Sequence, residues 1–279
     1  GNFLKGGIVF ADAVTTVSNT YADEIKTPFY GEGLDGLLRA RSNSLRGIVN
    51  GIDYNDFNPE TDINLSARYN ATTFRKEKVK NKIQLQKDLG LEQDPKAMMI
   101  GIVSRLTDQK GFDLIAYIMD ELCQDSVQIV ALGTGDERYE NMFRHFDWKY
   151  HGKVSAQIYY DESMSHRIYA ASDAFLMPSL FEPCGLSQLM SLRYGTVPIV
   201  RETGGLKDTV EPYNEYESKG TGFSFSNYNA HEMLRTINYA RDVFFNRKRE
   251  WNKIIDRGMA KDFSWNNSAK KYAELYNRL

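Results

Sequence analysis

Between residues 97 and 210 the chain alternates short apolar runs with helix-spaced stretches, and each run empties into a turn of glycine and polar residues. The runs at 97–103, 127–132, 154–160, 173–178 and 196–200 have the length and near-continuous apolar character of strands buried on both faces. Helices are predicted between them at 112–122, from Ser163 as cap through Ala171, and at 188–194 with Gly195 as terminator. Strands and helices in strict alternation imply a parallel sheet with crossover helices, so the fold class is α/β, a doubly wound parallel sheet of Rossmann-like type. In such a sheet ligands bind beyond the carboxyl ends of the strands.

The turns are therefore where chemistry is expected. After the run at 173–178 comes Ser-Leu-Phe-Glu182-Pro183-Cys184-Gly185-Leu186-Ser187, and after the run at 196–200 comes a second glycine turn, Arg201-Glu-Thr-Gly204-Gly205. Each opens a helix, whose unpaired N–H groups and partial positive charge suit a phosphate. Pro183 suits a first helical position, Gly185 allows close approach, and Ser187 adds a hydroxyl. Glu182 repels an anion, and makes sense only if it faces a neutral, hydroxyl-rich group attached to the phosphate, as in a sugar nucleotide. Arg105 and Lys110 share the turn after the first run, where exposed basic residues are more often merely solvated. Tyr160 falls at the end of its run, a position where packing is the commoner role. Gly133-Thr-Gly135-Asp136 lacks the third glycine of a dinucleotide fingerprint and has no matching acid downstream, which excludes a nicotinamide site.

Composition excludes several other classes. With 42% hydrophobic and 13% aromatic residues, the 279-residue chain can build a large core. Its 35 basic and 37 acidic residues are well mixed, which argues against a nucleic-acid footprint or a membrane-attracting patch. No apolar run is long enough to span a bilayer. Cys123 and Cys184 make no disulfide framework or zinc spacing, and the four histidines show no metal-ligand spacing, so no metal is expected and a reducing, cytoplasmic setting is. Cys184 at an expected helix start would have a lowered thiol pKa, yet a packing or backbone role is favoured over a nucleophile because no histidine is near in sequence.

Outside the alternation the reading is coarser. Residues 3–49 offer one strand at 14–17 capped by Ser18 and a short helix at 21–26, too little to bury their own apolar faces. A strand ends at the Asn50-Gly51 turn, residues 54–74 read as an ordered polar surface loop, and 75–89 as a charged helix closed by Gly90. Residues 211–227 read as a polar, aromatic-rich loop, and 230–246, 248–261 and 266–279 as helices.

Several of these stretches, taken in order, resemble one family. Phe181-Glu-Pro-Cys-Gly-Leu-Ser-Gln-Leu189, Tyr194-Gly-Thr-Val-Pro and Thr203-Gly-Gly-Leu-Lys-Asp-Thr-Val210 are similar to the donor-site signature of bacterial glycogen synthases and plant starch synthases, retaining glycosyltransferases with two Rossmann-like lobes (the GT-B architecture). Ser104-Arg-Leu-Thr-Asp-Gln-Lys-Gly111, the Asn50-Gly-Ile-Asp turn and the Thr-Val-Ser and Tyr-Gly-Glu-Gly-Leu-Asp-Gly stretches near the start extend the resemblance over essentially the whole chain.

The resemblance implies the C-terminal, donor-binding lobe at 50–262, a remnant of the N-terminal acceptor lobe at 1–49 and a crossover helix at 263–279. It further implies transfer of glucose from ADP-glucose to an α-1,4-glucan, with no metal or other cofactor. Arg105 and Lys110 would grip the distal phosphate, Glu182 the sugar, and Tyr160 the adenine, with Asn50, Gln109, Cys184, Gly185, Leu186 and Ser187 around the donor. Met190 stands where many retaining relatives carry a second glutamate, so no ribose contact is inferred there. The family's Lys-Thr-Gly-Gly-Leu loop and catalytic histidine have no counterpart here, and with Gly1 in first place the chain reads as an excised segment, the missing N-terminal lobe its expected partner. Alone, such a segment is expected to bind ADP weakly and not to elongate glucan. A different nucleotide sugar such as UDP-glucose, another acceptor, or a non-enzymatic nucleotide- or glycan-binding module are the alternatives.

Overall fold

The computed structural model describes residues 2–124 and 126–279; Gly1, the first residue of the expected N-terminal segment, lies outside them. Among the described residues eight strands form two sheets: β1 (Val14–Thr16), β2 (Leu45–Gly47), β3 (Met98–Val103), β4 (Val127–Leu132), β5 (Val154–Gln157), β6 (Ala174–Met177), β7 (Val197–Arg201) and β8 (Phe223–Phe225). The main sheet is parallel throughout, in the order β5-β4-β3-β6-β7-β8. Counted from β3, that is the doubly wound order 3-2-1-4-5-6, which reverses direction where β3 meets β6.

Both faces of this sheet are covered, which is why the runs are apolar at every position. Along β3, Met98, Ile100 and Ile102 enter one core cluster while Met99, between them, enters a second with Val130, Leu132 and Ile168. The pleat thus feeds two cores from one strand. Gly101 is needed in the middle of β3 because a Cβ there would meet Ser172 and Ile168 of the crossing helix Glu162–Ala171.

Several expectations are corrected. β5 stops at Gln157, so Tyr160 lies in the following loop rather than on the strand. The cap of helix Glu162–Ala171 is Asp161, whose carboxylate accepts from Met164 N at 2.9 Å, and not Ser163. Helix Ser187–Arg193 begins four residues after Pro183, because Gly185 takes a left-handed φ of +70° that no helical turn contains. β8 falls inside the stretch 211–227 expected as loop, because three residues at a sheet edge carry too little periodicity to be seen. Helices Glu137–Lys149 and Phe3–Phe10 were not anticipated, although Tyr139, Phe143 and Phe146 make a recognisable buried stripe.

Residues 2–49 stay off the main sheet: β1 pairs only with β2, in parallel. A hydrogen bond from Ser268 Oγ to Val49 O at 2.7 Å ties this segment to the chain's end, and just beyond it Ile52 bridges to Ser264. The loop at 54–74 is anchored by Tyr69, whose hydroxyl donates to Tyr194 O at 2.7 Å. Beside it, burial raises the Asp62 carboxyl, but hydrogen bonds from His166, Tyr194 and Asn64 more than offset this and hold it below its ordinary value.

Under that loop lies Lys78, fully buried, its ammonium donating to Tyr169 O, Ala170 O, Tyr194 O and Thr196 Oγ1 at 2.8–3.3 Å. Burial pushes it down to about 7 from an ordinary 10.5, with Asp173 opposing and Lys82 adding to the shift. Between those two pH values the unfolded chain binds the proton that the folded chain has shed, so stability rises with pH across the window, by up to about 1.4 kcal/mol per unit. Urea unfolding between pH 7 and 9 should show this rise, and Lys78→Met should flatten it.

Candidate active site

The switch between β3 and β6 sends their following loops apart and leaves a crevice at the carboxyl edge. Arg105 and Lys110 from the loop after β3 share it with Glu182, Gly185, Leu186 and Ser187 from the loop after β6, around a cavity of about 170 Å³. Six of the ten residues singled out in the sequence therefore meet at one place. Gly111 makes the approach possible: its φ is +76°, and a Cβ there would overlap Pro178 O.

The cavity's chemistry is uneven. Arg105 is exposed, and its guanidinium has no hydrogen-bond or ion-pair partner among the described residues. Lys110 and Glu182 are instead paired, Nζ to Oε2 at 2.6 Å, with side chains 15% and 8% exposed. Ser179 Oγ donates to the same Oε2 at 3.0 Å, which leaves Oε1 without a partner among the described residues. The backbone N–H groups of Gly185, Leu186 and Ser187 also lack acceptors there, Leu186 and Ser187 because they open a helix. Burial pushes the Tyr169 hydroxyl up to about 12, and its hydrogen bond with Ser187 partly offsets this.

The other four residues stand outside the cavity. Gln109 braces the loop after β6, its Nε2 donating to Phe181 O at 3.1 Å while its own carbonyl accepts from Leu180 N at 2.9 Å. Cys184 is buried; burial raises its thiol pKa, partly offset by a backbone hydrogen bond from Asn50. The expected lowering fails because no helix starts there, and Asn50 sits behind the turn. Tyr160 is 86% exposed, its ring unpacked beyond the neighbouring strands.

Three contributors were missed. Arg201 Nη1 donates to Leu180 O at 2.8 Å and Ser179 O at 3.3 Å, and Ser18 Oγ donates to Pro183 O at 2.7 Å. Ser179, next to the turn, was quoted without a role. No spacing in the sequence links Ser18 to Pro183. Behind the turn Gly204 and Gly205 press directly on the carbonyls of Glu182 and Cys184, where any Cβ would overlap an oxygen, and Gly205 N donates to Glu182 O at 3.0 Å.

The six-stranded doubly wound sheet thus brings cations, open amides and one carboxylate together at its switch point, an arrangement suited to an anion attached to a neutral group. The chain belongs to the group 1 glycosyl transferases, whose family model matches residues 83–243. The starch synthase catalytic domain model matches residues 1–40. Over 278 residues the chain is 76% identical to the glycogen synthase of Lachnospira eligens and 68% identical to that of Lachnoclostridium phytofermentans. All of this chain is covered in both, but only 58% of each relative. The catalytic domain of starch synthase IV from Arabidopsis thaliana, solved with ADP and acarbose, superposes with a TM-score of 0.92 at 38% identity, over 99% of this chain and 57% of that one. The resemblance to glycogen and starch synthases read from the motifs is borne out, as are the fold class and its place as a C-terminal lobe.

The Lys110–Glu182 pair sets an expectation for stability. Removing one partner strands the other charge in a largely buried site, at a cost of about 3 kcal/mol. Lys110→Met should destabilise by about that amount in urea unfolding, and Lys110→Met combined with Glu182→Met should recover most of the loss.

Proposed function

We propose that this chain is the donor-binding half of a retaining glucan synthase that moves glucose from ADP-glucose to the non-reducing 4-hydroxyl of an α-1,4-glucan. The observation that carries the reading is the meeting of Arg105, Lys110 and the open amides of Gly185–Ser187 in the cavity that also holds Glu182. The Arabidopsis relative's bound ADP and acarbose support a nucleotide and a glucan as the partners.

As the bond between sugar and phosphate loosens, charge builds on the leaving diphosphate. Arg105, the amides and Lys110 stand where they can meet it, and removing one such donor typically costs about 3–4 kcal/mol. Lys110 is held by Glu182, so a bound diphosphate competes for it and releases the carboxylate toward the hexose hydroxyls. Tyr160 offers an open ring for adenine. Gln109, Cys184 and Asn50 keep the turn in shape. A cavity of about 170 Å³ is small beside the roughly 300–1,000 Å³ of an enclosed ligand site, as befits one wall of a cleft.

In this reading residues 1–49 belong to the first lobe, 50–262 to the donor lobe, and 263–279 cross back onto the first; the Ser268–Val49 tie supports that crossing. Among the described residues no helix is long and apolar enough to cross a membrane, and both cysteines are free and buried, which favours a cytoplasmic location.

Calorimetry tests the donor. ADP should bind more tightly than UDP, and Tyr160→Ala should cost ADP about 1 kcal/mol or more while narrowing the difference. Equal binding of both would favour another nucleotide sugar. In the two-lobe enzyme Glu182→Ala should lower the rate by about a hundredfold or more without weakening ADP binding, since it frees Lys110 for the diphosphate, whereas the 279-residue segment alone should bind ADP without turnover. Binding without activity even in the two-lobe form would point to a non-enzymatic module.

A further inference from the structure

A second cleft, of about 540 Å³, opens at the opposite, amino-terminal edge of the sheet. Its position is set by Lys96, just before β3, and Asp173, just before β6. Helix Phe74–Asp88 contributes Arg75, Lys78 and Lys82, and helix Lys248–Met259 contributes Lys248. Five basic side chains thus face one carboxylate in its lining.

The charges do not cancel locally. Asp173 is taken by Lys82, Oδ2 to Nζ at 2.6 Å, and Arg75 by Asp256 at 2.5 Å. Lys78 is turned into backbone carbonyls. Lys96 and Lys248 are left, and neither ammonium has a hydrogen-bond or ion-pair partner among the described residues. Lys248 lies 4.3 Å from the centroid of the Phe244 ring, with Lys82 at 5.6 Å from the same ring, so two like charges flank one aromatic. Burial lowers the pKa of Lys248, and repulsion from Lys82 adds to the effect while Asp173 opposes it. Between these cations the surface is apolar, with Phe245 partly exposed over the buried Phe244 and Trp251.

We propose that this amino-edge cleft binds a small phosphate monoester, its phosphoryl group between Lys96 and Lys248 and its organic body on Phe245. A dianion supplies the missing counter-charge, and bonds between ammonium and phosphate oxygens are charge-assisted. The volume exceeds what an inorganic ion fills and lies within the usual range for a small-molecule site. The cleft lies across the sheet from the active-site cavity, so the inference stands independently of the donor assignment.

Phenyl phosphate and inorganic phosphate are the probes, titrated calorimetrically into the protein and into variants. Phenyl phosphate should bind saturably and about tenfold more tightly than inorganic phosphate. Lys96→Gln combined with Lys248→Gln should weaken it at least about tenfold, the paired arginine variants should retain it within about threefold, and Arg105→Gln at the other edge should leave it in place. Neither ammonium has a hydrogen-bond or ion-pair partner among the described residues to lose, so the glutamine variant should melt at the wild-type temperature without ligand. Unchanged affinity in that variant, loss of binding in Arg105→Gln instead, or equal affinity for the two probes would each overturn the proposal.

Discussion

The reversal of strand order between β3 and β6 is the constraint on which the rest depends. Adjacent parallel strands whose crossovers leave in opposite directions cannot close the space above their carboxyl ends. The two loops that border this space carry the chemistry, one with Arg105 and Lys110, the other with Glu182 and a run of open amides. Neither loop has a site alone. A largely buried cation and a buried anion, each unfavourable by itself, become tolerable because the reversal places them 2.6 Å apart.

That pairing also explains how one small cavity can hold groups of opposite sign without losing its shape. The carboxylate is held by Lys110 and Ser179, the loop beneath it by Gln109 and Arg201. Flexible side chains reach the cavity and backbone-directed hydrogen bonds support it from behind. The turn after β6 is thereby held from several sides, the kind of fixed frame in which electrostatic stabilisation is most effective.

Much of this was legible in the letters. The alternation of apolar runs and turns led to the five central strands, and helices 112–122 and 230–246 were placed to the residue. The meeting of Arg105, Lys110 and Glu182 followed from the rule that ligands bind at carboxyl edges. What stayed hidden were contacts between segments far apart in sequence. Ser18 reaches Pro183 across 165 positions, and Asp208 accepts from the N–H groups of Asn19 and Thr20. Local conformation was also missed where a single residue overrides a pattern: Gly185 delays the helix that Pro183 announces, and Asp161 caps one assigned to Ser163.

The glycine pair behind the donor turn has a mechanical meaning. Gly204 and Gly205 touch the carbonyls of Glu182 and Cys184 backbone to backbone, with no side chain between to act as a cushion. Side chains can change rotamer and absorb small displacements, whereas peptide planes in direct contact cannot. Helix Gly204–Thr209 and the donor turn therefore travel as one stiff piece. Because Asp208 on that helix and Ser18 against Pro183 also hold the first segment, a tilt of residues 18–24 reaches the glutamate with little slack in the linkage.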